Sequence, residues 1–173
     1  MSNNSQDNTM GNQQERLHFY IGYVLGIIDG EGSCQFWYKY LYKGCKVFSP
    51  KITIFNSNPF IIQMAKDSLT KLGISYYCFS VKMHGRERWP LWRIEIVGIK
   101  RIKQLTDILL SYPSGKQPRL QVLNNFCNHR LFKNRKKYTK TDEAYFLKLK
   151  ELNKLYRGKS TKSSETIRSD ATA

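Results

Sequence analysis

The stretch Tyr23-Val24-Leu25-Gly26-Ile27-Ile28-Asp29-Gly30-Glu31-Gly32-Ser33 is an apolar helical run ending in two carboxylates, with a glycine between them and another after. Gly22, Gly26 and Gly30 recur every fourth residue and share one helix face. Each interior glycine costs about 1 kcal/mol relative to alanine, so a helix that only had to bury a core face would not carry three. A face stripped of side chains lets another backbone approach closely, which predicts a helix-to-helix contact here. At the C-terminal end, the unpaired helix carbonyls and their partial negative charge lie beside Asp29 and Glu31. Such an anionic corner of hard oxygen donors suits Mg2+ or another divalent cation such as Mn2+.

The 173 residues, 40% of them hydrophobic, fit one domain with a sizeable core. Lysine and arginine number 29 against 13 acidic residues, a net charge of +16. That sign selects phosphate polymers or an anionic membrane surface as partner, and 13% aromatics among the basic residues tilt the choice to nucleic acid. Cys34, Cys45, Cys78 and Cys127 form no CxxC pair, and neither His84 nor His129 completes a zinc spacing. The absence of a signal peptide and of a cysteine framework predicts reduced thiols in an intracellular protein. The apolar run over 20–28 is shorter than the roughly 20 residues that span a bilayer, so no membrane partner is expected.

Residues 1–14, rich in Asn, Gln and Ser, are expected to be a disordered tail. A helix over 15–30 precedes strands over 33–42 and 47–55, with Lys43-Gly44 as the turn signal. Asn58-Pro59 opens a second helix carried by Ile61, Met64, Ala65, Leu69 and Leu72 and closed by Gly73. A second hairpin, with strands over 76–83 and 88–97, leads to a helix carried by Ile99, Ile102, Leu105, Ile108 and Leu109. Helices over 118–131 and 142–156 flank a basic link at 133–137, and 158–173 is read as a flexible basic tail. The expected domain is therefore 15–157, an α+β fold with an αββαββα core and extra C-terminal helices. Period-two alternation gives each strand a polar row; the set is Gln35, Trp37, Lys39, Ser49, Lys51, Thr53, Ser80, Lys82, Arg93 and Glu95.

The run Leu25-Gly26-Ile27-Ile28-Asp29-Gly30-Glu31-Gly32 resembles the signature of the LAGLIDADG homing endonucleases. The tail Lys162-Ser163-Ser164-Glu165-Thr166-Ile167-Arg168 is similar to the C-terminal end of a single-motif, chloroplast-type member. The resemblance implies a curved antiparallel sheet, a saddle whose polar face, the ten residues above, lies in the DNA major groove. It places the metal-binding acid on Glu31 with help from the Gly30 carbonyl, and gives Asp29 the turn. A polar catalytic residue falls on Asn56, with Ser57 and Asn58 adjacent, and the active-site lysine falls on Lys116 in Gly115-Lys116-Gln117-Pro118-Arg119. Glutamate at 31 stands where the best-known homodimers have aspartate, and Asn56 where glutamine is more usual.

The motif occurs once, and single-motif members of that family are homodimers, so Gly22, Gly26 and Asp29 are expected at a dimer interface. The implied activity is Mg2+-dependent phosphodiester hydrolysis in double-stranded DNA. It would make a staggered break with 3′ overhangs in a long pseudo-palindromic site, as in intron homing. An RNA-splicing maturase, with RNA as partner, and a non-catalytic DNA-binding protein of the same fold are the alternatives. An organelle (chloroplast or mitochondrion) and a prokaryotic cytoplasm both fit as locations.

Overall fold

A computed structural model of the chain describes residues 5–40, 46–81, 90–132 and 138–166. The elements run α1 (Ser5–Glu31), β1 (Gly32–Tyr40), β2 (Lys46–Asn56), α2 (Pro59–Lys71), β3 (Tyr77–Val81), β4 (Leu91–Val97), α3 (Ile99–Leu109), α4 (Gln117–Phe132) and α5 (Lys140–Thr166). This is the expected αββαββα order followed by two helices. Two helices are longer than expected: α1 starts at Ser5 instead of 15, and α5 continues to Thr166 through much of the expected tail. Once a turn is fixed, each further residue adds one backbone hydrogen bond, so both helices run on past their packed portions even though the added segments are rich in Ser, Thr, Asn and Gly, which are weak helix formers. No apolar face is needed for that extension. The expected turn at Lys43-Gly44, the hairpin link at 84–87 and the basic link at 133–137 lie outside the described residues.

The four strands form one antiparallel sheet in the order β1-β2-β4-β3. Ile52 pairs with Cys34 on one side and Ile96 on the other, and Ile54 pairs with Ile94. All five are buried, together with Phe36 and Phe48. Ile21, Val24, Leu25 and Ile28 of α1 join the same core, as do Ile62, Ala65 and Leu69 of α2, Ile102, Leu105 and Leu109 of α3, and Leu120, Leu123 and Phe126 of α4. Full burial of each of these side chains contributes about 1.5–3 kcal/mol, so the helices have strong reason to gather on this one face. The other face carries the polar row. Among the described residues no helix is long and apolar enough to cross a membrane.

The β2–α2 junction is fixed by local side chains. Asn56 Oδ1 accepts from the Asn58 amide at 2.8 Å, and Asn58 Oδ1 accepts from the Phe60 amide at 2.9 Å. The second bond caps α2, and Pro59 in its first turn lacks the N–H that would otherwise be orphaned. At the far end Gly73 adopts φ +70°, and Ile74 N–H returns to the Leu69 carbonyl at 2.9 Å, closing the helix in a conformation that disfavours any side chain.

Candidate active site and nucleic-acid interface

Helix α1 passes into β1 without a linker: Glu31 is its last residue and Gly32 already pairs with Ile54. The reversal is so tight that a Cβ on Gly32 would lie 2.5 Å from the Ile28 carbonyl oxygen and 2.7 Å from Ile28 Cα. Both are backbone atoms, so no side-chain movement relieves the clash.

Two opposite charges exchanged between helix ends hold this corner. Asp29 accepts at Oδ1 from the Ser114 hydroxyl (2.6 Å) and the Lys116 amide (3.2 Å), and at Oδ2 from the Gly115 amide (3.0 Å). The Lys116 carbonyl receives the first amides of α4, from Arg119 and Leu120, so Asp29 sits at the positive N-terminal end of that helix. In return, Lys116 Nζ donates to the carbonyls of Ile28 (2.5 Å), Asp29 (2.7 Å) and Gly32 (2.6 Å), at the negative C-terminal end of α1. Burial lowers the Lys116 pKa, and nearby Arg119 adds to that, while Cys34, Asp29 and Glu31 oppose it. Burial likewise pushes the Cys34 thiol up to about 12, which leaves it an inert core group.

This differs in part from the roles the resemblance implies. Asp29 serves the turn, as implied, but its carboxylate is engaged within its own chain. An ammonium has three protons, and those of Lys116 all go to carbonyls. It acts here as the cap of α1, and reaching a phosphate or a water would mean giving up at least one of these bonds.

Glu31 is exposed and lines a shallow depression with Gly22, Tyr23, Gly26, Ile27, Asn56 and Ile61. The fold thus brings Asn56, at the end of β2, beside Glu31 and the glycine face of α1. Lys116 stands behind the corner instead of in the depression's lining. A Cβ on Gly22, Gly26 or Gly30 would meet nothing within 4 Å, so nothing in the single chain requires glycine at these positions. Phe19 on the same helix, and Phe60 at the start of α2, are also exposed.

The donor set suits a hard cation: the Glu31 carboxylate, with the Gly30 carbonyl outside the group that Lys116 holds. Among the described residues, however, no cluster of three or more His, Cys, Asp or Glu could hold a metal.

On the sheet's outer face the register brings Gln35 opposite Lys51, Trp37 opposite Ser49, and Lys39 opposite Val47, with Thr53 opposite Glu95 and Phe55 opposite Arg93. Glu95 Oε1 joins Lys51 Nζ at 3.0 Å and Arg93 Nε at 3.4 Å. Trp37 is half exposed. One expected member of the face, Ser80, is corrected, and another, Thr53, keeps its place on the face but lies below its surface. Thr53 is buried, 1% exposed, and its hydroxyl accepts from Gln35 Nε2 at 3.2 Å, so it braces Gln35 beneath the surface. Ser80 pairs with Trp92, on the opposite face from Arg93; the face residues of β3 are Tyr77, Phe79 and Val81. Lys82 lies outside the described residues. Tyr77 and Phe79 were missed because hydrophobicity normally marks the inward row, and on this edge strand it marks the outward one.

No protein-family model matches the sequence, and no curated protein matches it. Solved structures do. The chain superposes on the archaeal intron-encoded homing endonuclease I-Vdi141I complexed with DNA at TM-score 0.50 and 17% identity, covering 79% of this chain and 98% of that one. The homing endonuclease I-CvuI, in complex with a DNA target in the presence of Mg, gives TM-score 0.51 at 15% identity over 65% of this chain and 68% of that one. The meganuclease I-SmaMI bound to DNA gives 0.52 at 14% identity, over 80% of this chain and 44% of that one. Matches at this level of identity establish the fold: the chain has the fold of the LAGLIDADG homing endonucleases.

Proposed function

We propose that the protein is a site-specific DNA endonuclease acting as a homodimer, each copy hydrolysing one strand. The observation that carries this reading is the depression in which the exposed Glu31 meets Asn56 beside the side-chain-free face of α1. Three glycines there are open to solvent, and alanine at each would stabilise the helix by about 1 kcal/mol. Their retention makes sense if a second α1 packs against them, the arrangement that brings two Glu31 corners together. DNA binding by the structural neighbours, the polar sheet face and the net charge of +16 all support a duplex as substrate.

In this reading Glu31 and the Gly30 carbonyl hold a divalent cation, with phosphate oxygens, water or the second copy completing its shell. Such a cation lowers the pKa of a water and offsets charge developing at phosphorus. Asp29 and Lys116 fix the backbone on either side of Glu31, so the carboxylate is delivered on a rigid corner. Asn56, held by its bond to the Asn58 amide, presents a polar group across the depression. The sheet face sets the register on the duplex through alternate residues that reach base edges. A major-groove reader built as a two-fold dimer implies a long, nearly palindromic site.

The test is selection of duplexes from a randomised library by the purified protein without metal, followed by addition of Mg2+ to the selected duplex. The expected result is cleavage of both strands. Stable binding with no nick in Mg2+ or Mn2+ would instead leave a non-catalytic DNA-binding protein or a maturase of the same fold.

Replacing Gly26 by leucine is expected to leave each chain folded, because its Cβ meets no atom within 4 Å, and to abolish the dimer by excluding the partner backbone. Light scattering at micromolar concentration should read a dimer for the wild type and a monomer for the variant. An unaffected dimer would place the interface elsewhere.

A further inference from the structure

The edge strand β3 turns two aromatic rings outward on the sheet's polar face. Tyr77 is 49% and Phe79 42% exposed. Their rings are stacked on each other with centroids 6.3 Å apart and planes 20° from parallel. Each also carries a guanidinium over it: Arg101 at 5.1 Å from the Tyr77 centroid and Arg93 at 5.3 Å from that of Phe79. Two rings left in water on this outer face do not serve the core, since the buried partner row of the same strands is the one containing Ile94 and Ile96. Cation–π contacts order the two rings relative to their arginines, which makes a pre-set apolar patch flanked by Arg101 and by Arg93, the latter paired with Glu95.

We propose that Tyr77 and Phe79 read thymine methyl groups in the major groove, making this pair a specificity determinant of the DNA site. The inference rests on the proposed DNA-binding role and adds a base preference to it. The thymine C5-methyl is the apolar group that a base pair presents in the major groove, and Arg101 beside Tyr77 complements a flanking phosphate. Stacking on unpaired bases, the other common use of exposed aromatics, needs open ring faces. Here one face of each ring is met by a guanidinium and the two nearly parallel rings lie side by side, 6.3 Å apart, which leaves less open face for a base to stack on and more edge for a methyl group to touch. At the end of the sheet order β1-β2-β4-β3, the pair would read bases towards one end of the sheet's footprint.

The test uses the duplex selected by the full-length protein, synthesised once with thymine and once with deoxyuracil at each selected thymine in turn. Loss of one buried methyl weakens binding about fourfold. The expected result is such a loss at one or two positions of each half-site, and its disappearance in the Tyr77→Ser, Phe79→Ser double variant. The thymine-to-uracil comparison on wild-type protein needs no variant, so misfolding of the double variant cannot mask the answer. Equal Kd for the thymine and uracil duplexes at every position would overturn the inference while leaving DNA binding intact. Tighter binding of the single strand than of its duplex, lost in the double variant, would overturn it in favour of a stacking platform. No selectable duplex at all would sink the proposed function itself.

Discussion

Glu31→Gln is expected to reduce cleavage of the selected duplex by on the order of a thousandfold or more while dimerisation persists and DNA affinity stays level or rises. The substitution keeps the size and hydrogen-bonding reach of the side chain but removes the charge that holds a divalent cation. Without the cation, water near neutral pH is a poor nucleophile, because nothing then lowers its pKa. Glu31 is exposed, and the bonds that shape the corner run through Asp29 and Lys116, so the fold has little stake in its charge. Relief of repulsion between the carboxylate and nearby phosphate gives affinity its upward direction. Gel-based cleavage rates in Mg2+, beside Kd values measured in Ca2+ or without metal, separate the two effects. Wild-type cleavage by Glu31→Gln would mean that the active site lies elsewhere.

Gly32→Ala is expected to be more damaging than alanine at Gly22, Gly26 or Gly30, costing about 3 kcal/mol or more. Overpacking usually costs about 1–3 kcal/mol when side chains can shift. The clash here is with the backbone of Ile28, at 2.5 Å and 2.7 Å, and on the other side the Gly32 carbonyl is held by Lys116. Relief requires reopening the α1–β1 corner, and with it the Asp29 and Lys116 bonds. Urea denaturation should place the variant's midpoint well below that of the wild type, and thermal melting should fall by roughly 6–12 °C. Gly26→Ala is the control: its methyl has open space in the single chain, so any loss there reports on the dimer. A stable Gly32→Ala protein would show that the corner is looser than these distances imply.

Much of this arrangement is legible in the residues, because the strongest signals were periodic. Helical spacing of Ile61, Ala65 and Leu69, and the alternation of Ile52 and Ile54 with Lys51 and Thr53, reappear as buried rows on α2 and β2. Helix ends were less legible: near Ser5 and Thr166 the helices run on through polar residues with neither an apolar pattern nor strong helix propensity to announce it. The register of β3 was not legible either. Tyr77, Phe79 and Val81 alternate with Cys78 and Ser80, and an inward row of aromatics is the ordinary expectation for such a strand. Pairing with β4 overrides that expectation by putting Phe79 opposite Arg93. The motif located Lys116 but not its task, because the three carbonyls it binds come together only when α1 turns directly into β1. Thr53 illustrates the same limit: its place in the polar row is correct, and only the side chain of Gln35 above it explains its burial.

The most direct test of a dimer with one carboxylate corner per strand is a heterodimer in which one subunit is wild type and the other carries Glu31→Gln. Two different affinity tags allow the mixed species to be purified, and a supercoiled plasmid bearing the selected site gives the readout in Mg2+. One active corner should nick one strand, so the plasmid should accumulate as open circles with little linear product. Linear product formed by the heterodimer at the wild-type rate would contradict the account, since a single Glu31 would then suffice for both strands.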